Sequence, residues 1–526
     1  MTISTPEKGQ NAAVIIGVSG SGKSVFLHDI ILTAAMLYSP DELEMYLIDF
    51  SGVEFNTYAT HQLPHARIIA PEAEREFGLS VLRRLKDEAA RREELFSKHG
   101  VTNLVEMRER YPTVRMPRIM VIIDEFQKFF EVENDSISRD SGSYIQTIIK
   151  EYRKFGLNLI LATQELFGQA RGVSELTANR IAFKCKPTDF EMLIPRSRIP
   201  NLKVGTCVAT NNYGEASSNV TVQCYFANGT TRDQLLDRIA QKNEQSTSKM
   251  TESPIIFRYK ELPEFLPDLQ PADLPTMSPV RLGQSIAISD TDVTAFLPHQ
   301  RGGNLLVIGG EQDVAQCITY YAFRSLMAAH NDGAATFHLF NYMRENKTLS
   351  QRLKDDQEAF DGVFEITLSD QTIPETETVQ HLLDVKEAIE RRKSAQEPVK
   401  HVFLTIFAMQ DGVLFEPVVG TRGSSSSSEA AKALEFILTN GPSVGVHTIA
   451  HVDSLNNLKR LIGVGLVEDF GYRVLLQMSE ADSRKLMDTP DASRLWDERR
   501  PMSRYRAYLF DQKRNTFVKF KPYKFQ

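Results

Sequence analysis

The stretch Gly17–Ser24, GVSGSGKS, follows directly on the apolar run AAVIIG and opens the helical stretch KSVFLHDIILTAAMLY. A chain that sets GxxxxGK[ST] between a short buried strand and a helix is committed to a parallel α/β unit. Glycines let backbone N–H groups wrap an anion, and the helix N-terminus adds its partial positive charge. The spacing predicts a phosphate loop in which Gly17, Ser19, Gly20, Ser21, Gly22, Lys23, Ser24 and Val25 hold ATP. Lys23 is expected to bridge the β- and γ-phosphates and Ser24 to ligate Mg2+.

The runs EMYLIDF, RIMVIIDEF and LNLILATQ are equally apolar and alternate with amphipathic helices such as GLSVLRRLKDEAARREELFSKHG. Such runs predict an α/β fold, a mostly parallel sheet with helices on both faces. Their C-terminal ends carry polar residues, where sheets of this class bind ligands. Asp124 is expected to hold the magnesium and Glu125 to align or deprotonate the attacking water. Thr163 and Gln164 end another run, and Gln164 is placed to sense the γ-phosphate or the water. Asp49 is a similar strand-end carboxylate. Arg153 and Arg180 are both candidates for a finger reaching a neighbouring subunit's γ-phosphate.

At 526 residues the chain exceeds one ordinary core. The polar QKNEQSTSKMTESP leads into ELPEFLPDLQPADLPTMSP, whose prolines exclude a helix or central strand. This divides the chain into 1–240, a connection at 241–280, and 281–526. Beyond it the order repeats: NLLVIGG, a helix, ATFHLFNY, KHVFLTIFA, a helix, GVHTIAH. Gly17 pairs with Gly309, Gly156 with Gly445 and Arg180 with Arg473 at a nearly constant separation of about 290 residues. The chain is therefore two tandem copies of one domain. TRGSSSSSEAAK is expected to be a flexible crossing between elements of the second.

That second copy has lost the reactive groups. Counting from Gly309, the second glycine becomes Val314, the lysine Ala315 and the hydroxyl residue Gln316, while Phe407 and Ala408 stand where Asp124 and Glu125 stand. Residues 281–526 are expected to be catalytically inactive.

Composition sets the remaining bounds. With 42% apolar and 25% charged residues and a net charge of −7, the chain is globular and no nucleic-acid coat, although a ring can carry basic residues in its pore. Cys185, Cys207, Cys224 and Cys317 form no CxxC pair, and no histidines cluster at zinc spacing, so no cysteine–histidine metal site is expected. No stretch reaches the ~18 apolar residues of a membrane helix, so a cytoplasmic location is expected, with any membrane association through regions or partners outside these residues. The first strand begins so soon after Met1 that the chain reads as a motor fragment of a longer protein.

GSGKSVFLHDIIL, YLIDFSGVEF, RRLKDEAARREELFSKHGVTNL, VIIDEF, GLNLILATQ and NRIAFK, in this order, resemble the FtsK/SpoIIIE family of RecA-like motors. The resemblance is strong over about residues 12–230 and continues as a weaker copy over 281–526. It implies a hexameric homo-oligomeric ring that hydrolyses ATP at subunit interfaces and pulls a polymer through its pore. In most of the family the polymer is double-stranded DNA. A tandem-domain branch serving type VII secretion moves protein instead, which would here bind 281–526. A third alternative is a nucleotide-gated assembly scaffold. The family's Asp-x-Lys-Gly is here Asp49-Phe50-Ser51-Gly52, without its lysine.

Overall fold

The computed structural model describes residues 11–244, 253–266 and 276–525, apart from 53, 134, 196–199, 290, 331–332, 334, 344–345, 371, 395–399 and 420–424. The chain splits into two compact units, Met1–Tyr259 and Lys260–Gln526. Each is α/β, built on a large, mostly parallel sheet flanked by helices.

In the first unit β1 (Ala12–Ile16), β2 (Leu43–Asp49), β3 (Ala66–Ala70), β4 (Arg118–Asp124), β5 (Leu157–Thr163), β6 (Asn179–Ala182), β7 (Thr206–Thr210), β8 (Val220–Gln223) and β9 (Ile255–Ile256) form one sheet. Its order is β8-β7-β6-β1-β5-β4-β2-β3-β9. Strands from β6 to β9 run parallel, and β7 and β8 add antiparallel. Every residue of β1 and β2 is buried, because helices cover both faces; that is why these strands show no polar alternation. Parallel register brings the C-terminal ends of β1, β5, β4 and β2 to one edge. Ile16 lies opposite Thr163 and Asp49 opposite Asp124.

In the second unit β10 (Met277–Ser285), β11 (Asp292–Pro298), β12 (Leu305–Ile308), β13 (Ala335–Asn341), β14 (Glu365–Asp370) and β15 (His401–Phe407) are followed by the small hairpin β16 (Val418–Val419) and β17 (Ser425–Ser426). Then come β18 (Val446–Val452), β19 (Tyr472–Leu475), β20 (Ala507–Asp511) and β21 (Thr516–Pro522). The main sheet runs β11-β10-β21-β20-β19-β12-β18-β15-β13-β14. Its segment β19-β12-β18-β15-β13-β14 reproduces β6-β1-β5-β4-β2-β3 strand for strand, and an antiparallel pair again follows.

Two stretches differ from their sequence-based description. Within 241–280, Ile255–Ile256 add a two-residue edge strand to the first sheet, and β10 starts at Met277. An edge is where a strand tolerates neighbouring prolines. The serine tract is partly ordered: Ser425–Ser426 pair with Val418–Val419, and Ser428 caps the helix Glu429–Asn440. The Ser428 hydroxyl accepts from the Ala431 N–H at 3.1 Å and donates to the Leu414 carbonyl at 2.7 Å. Ser424 lies outside the described residues.

Arg180 and Arg473 are buried in equivalent places. Arg180 donates to the carbonyls of Thr177, Leu193 and Glu175 at 2.9–3.2 Å. Arg473 donates to those of Phe470, Leu486 and Val467 at 2.8–3.2 Å, and to Gln512 Oε1 at 2.8 Å. A buried guanidinium spread over three carbonyls of its own fold is a clamp on loops. Lysine cannot span that fan. Arg180→Lys and Arg473→Lys should each lower the chain's unfolding free energy by about 1–3 kcal/mol in denaturant titrations; unchanged midpoints would contradict the clamp.

Candidate nucleotide-binding site

The loop after β1 is shaped by two close approaches and one open position. Gly22, at φ 105°, ends the loop against Gly205, whose Cα would lie 2.8 Å from any added Cβ. A Cβ on Gly17 would meet Phe183 Cβ at 2.8 Å. Gly20, at φ 76°, has no atom within 4 Å of where its Cβ would stand, so the crest of the loop is open. The helix α1 (Lys23–Leu37) then starts without a side-chain cap, leaving its first N–H groups to an incoming acceptor. Glycine-framed backbone, an open crest and an uncapped helix start fit a phosphate group.

Lys23 is buried and bridges two carboxylates, forming ion pairs with Asp124 and, at 3.0 Å, with Glu125. The 3₁₀ turn after β4 presents Glu125, whose backbone is left-handed at φ 55°. That turn also brings Gln127 back to donate to Glu125 Oε2 at 2.6 Å, while Gln164 donates to Oε1 at 2.9 Å. Thr163 Oγ1 fixes Gln127 by donating to its Oε1 at 2.6 Å. Lys23, Asp124, Glu125, Thr163 and Gln164 thus meet at one sheet edge.

Asp49 adjoins Asp124 but turns to its own loop, accepting from Ser51 N–H and hydroxyl at 2.6 Å and from Glu54 N–H at 2.8 Å. Ser24 donates to Glu54 Oε1 at 2.7 Å, and His28 lies 3.6 Å from Glu54 Oε2. Glu54 and Gln127 reach the site through turns after strand-end carboxylates, and their closeness in sequence to Asp49 and Glu125 is the one signal of it. Ser19 lies on the loop and Val25 in the first turn of α1. Arg153 stands four residues before the N-terminal end of β5, at the opposite sheet edge from its own domain's loop.

The cluster carries more negative than positive charge. Burial pushes the Asp124 carboxyl up to about 6, and Glu125 and Asp49 reinforce burial against the pull of Lys23. Burial would also raise Glu125, but Lys23 with the amides of Gln127 and Gln164 outweighs it and holds Glu125 below the usual range. Burial would lower the Lys23 ammonium, yet the two carboxylates hold it above the ordinary lysine value.

The corresponding place in the second unit is built differently. The helix Gln312–Ala329 begins three residues ahead of Ala315, the counterpart of Lys23, so the loop crest is wound into helix. Ala315 and Phe407, in place of Lys23 and Asp124, are buried in one apolar cluster with Val314 and Leu476. Glu311 and Asp313 occupy the positions of Ser19 and Ser21, with Arg504 at 3.8 and 3.3 Å. Ala408 nevertheless keeps the left-handed backbone of Glu125, at φ 50°.

Residues 3–168 match the FtsK/SpoIIIE family model. The first unit carries an FtsK/SpoIIIE-family domain. Among FtsK/SpoIIIE relatives, the DNA translocase FtsK of Caldanaerobacter subterraneus subsp. tengcongensis is 32% identical over 152 residues, covering 29% of this chain and 20% of that protein. The ESX secretion system protein YukB of Bacillus subtilis is 30% identical over 158 residues, covering 29% and 10%. The chain therefore matches a fifth or less of these relatives' lengths. The cytoplasmic domain of the type VII secretion ATPase EccC of Thermomonospora curvata is similar in fold, with TM-score 0.64 and 16% identity over 98% of this chain and 60% of that one. Among the described residues no helix is long and apolar enough to cross a membrane.

Asp124 is easier to protonate folded than unfolded, so its contribution to stability is present below about pH 4 and is lost as pH rises through about 6. Asp124→Asn removes that loss. Without nucleotide it should be more stable than the parent at pH 7.5 by up to about 3 kcal/mol, the gap closing toward pH 4. A variant less stable than the parent at pH 7.5 would contradict the account.

Proposed function

We propose that the chain is an ATP-hydrolysing motor with one chemically complete site, in residues 1–240, joined through 241–280 to a second domain, 281–526, that keeps the fold without the chemistry. The observation that supports it most is the lysine of a phosphate loop held by two strand-end carboxylates, with Gln164 on the second of them. The loop N–H groups of Gly20–Ser24 and the Lys23 ammonium would hold the phosphates, and Ser24 and Asp124 would hold Mg2+. Bound Mg-ATP supplies the phosphoryl group transferred to water and a cation that offsets its charge.

The residues of the chain give this chemistry a trigger. Lys23 cannot serve phosphates and stay on both carboxylates, so an anion in the loop draws it away from Asp124 and Glu125. Glu125 then loses the largest influence opposing its burial, and its basicity rises. It becomes able to orient a water or take its proton at Oε1, while Gln127 keeps Oε2 in place. Phosphate binding and activation of the base are thus one event. In the second domain Ala315, Phe407 and Ala408 offer neither cation, metal ligand nor base.

The proposed polymer is double-stranded DNA, drawn through a homo-oligomeric ring, most simply a hexamer. Identity of 30–34% to DNA translocases over this domain supports it. The edge after β8, where Tyr225 and Phe226 are 89% and 77% exposed, supports subunit packing. The tandem layout favours a second reading, a protein substrate bound by 281–526, as does a fold shared with EccC along nearly the whole chain.

ATP turnover measured with and without long duplex DNA at low salt separates the polymers. The DNA reading predicts stimulation that fades as salt rises; no stimulation at any salt would overturn it and leave the protein reading. Independently, Lys23→Ala should abolish turnover and Ala315→Lys should not restore it; unimpaired turnover in Lys23→Ala would overturn the site.

A further inference from the structure

Three separate segments of the second unit bring histidines together far from its degenerate loop. His299 follows β11, His401 opens β15 and His447 is the second residue of β18. In each, one ring nitrogen lies within 4.8 Å of the corresponding atom of the other two. Ring centroids are 5.1 Å apart for His299 and His401, and 5.4 Å for His299 and His447. His447 sits opposite Phe403, two residues beyond His401, so His401 and His447 share one face of the sheet at its N-terminal edge. The positions of Gly309 and Ala408 lie at the other edge.

Within the cluster, His447 has the hydrogen bonding of a metal ligand. His447 is fully buried, and its Nδ1 lies 2.6 Å from the Gly303 carbonyl. A carbonyl only accepts, so Nδ1 carries the proton and Nε2 keeps its lone pair. That Nε2 is buried and has no hydrogen-bond partner among the described residues; the same holds for His299 Nε2. Buried lone pairs without donors are rare in folded chains. An imidazole that donates its far N–H to a carbonyl is oriented as metal-bound histidines are. The carbonyl is itself fixed, because the turn from Pro298 to Gly303 is so tight that a Cβ on Gly303 would collide with the Pro298 carbonyl. Burial keeps His447 neutral by lowering it to about 3, and lowers His299 as well.

We propose that His299, His401 and His447 bind one zinc-class divalent ion, a site independent of the nucleotide chemistry. Three imidazoles without a carboxylate select a borderline transition metal over Mg2+ or Ca2+. Tetrahedral zinc at ~2.0–2.1 Å from nitrogen requires ligands roughly 3.3 Å apart. Binding requires the half-buried rings of His299 and His401 to turn inward while His447 stays anchored. The ion fastens the turn after β11 to the starts of β15 and β18, and its fourth position is left to water.

The test is calorimetric titration of the untagged full chain with Zn2+ in excess Mg2+, paired with Co2+ loading followed by visible absorption. One equivalent per chain is expected, with tetrahedral Co2+ bands and a melting temperature raised by Zn2+. His299→Ala and His401→Ala, both at half-buried positions, should weaken Zn2+ at least ~10-fold and remove the Co2+ bands. Unchanged circular dichroism in these variants establishes that they fold; if either does not, His299→Gln and His401→Gln take its place with the same expected loss. Lys23→Ala should bind Zn2+ like the parent. Absence of saturable Zn2+ binding, or binding that survives loss of His299 and His401, would overturn the proposal.

Discussion

A single buried ammonium, Lys23, balances the carboxylates of Asp124 and Glu125, and the first domain is organised around that uneven bargain. Two acids and one base, with Asp49 on the neighbouring strand, cannot all be satisfied out of water. The residual strain sits on Asp124, whose carboxyl is pushed up to about 6. Such a cluster is poor material for a core. It becomes intelligible once an anion in the adjacent loop competes for the lysine and a cation competes for the aspartate.

The second unit repeats the strand order of the first with apolar residues at the loop and strand-end positions. Ala315 and Phe407 replace a buried ion pair by apolar contact, an exchange that is commonly neutral or stabilising. The helix Gln312–Ala329 winds through the former loop because the glycine at the position of Gly22 is Val314 and nothing obliges a crest. Ala408 retains the left-handed turn of Glu125 although no carboxylate remains to be aimed, which marks that turn as part of the strand-to-helix geometry. The arginine clamps at Arg180 and Arg473 likewise belong to the shared scaffold.

Much of this was legible in the residues. The apolar runs predicted buried parallel strands because burial on both faces erases alternation, and the loop motif fixed which edge would be chemical. The strand-end acids could be named because parallel register carries them to that edge. What stayed hidden were contacts made by tertiary convergence. The hold of Arg180 on the carbonyls of Thr177, Leu193 and Glu175 leaves no mark in a sequence. Gln127 and Glu54 depended on turns that fold side chains back. The order of the serine tract depended on Ser428 finding Leu414. His299, His401 and His447 had no spacing to betray them, because sheet order, not chain distance, sets their proximity.

The central claim is that the chemistry of phosphates belongs to one of two homologous folds. Calorimetric titration of the full chain with a non-hydrolysable ATP analogue and Mg2+ tests it most directly. The account predicts one equivalent bound per chain, lost when Lys23 is replaced by alanine. Two equivalents, or one that survives in Lys23→Ala, would contradict it.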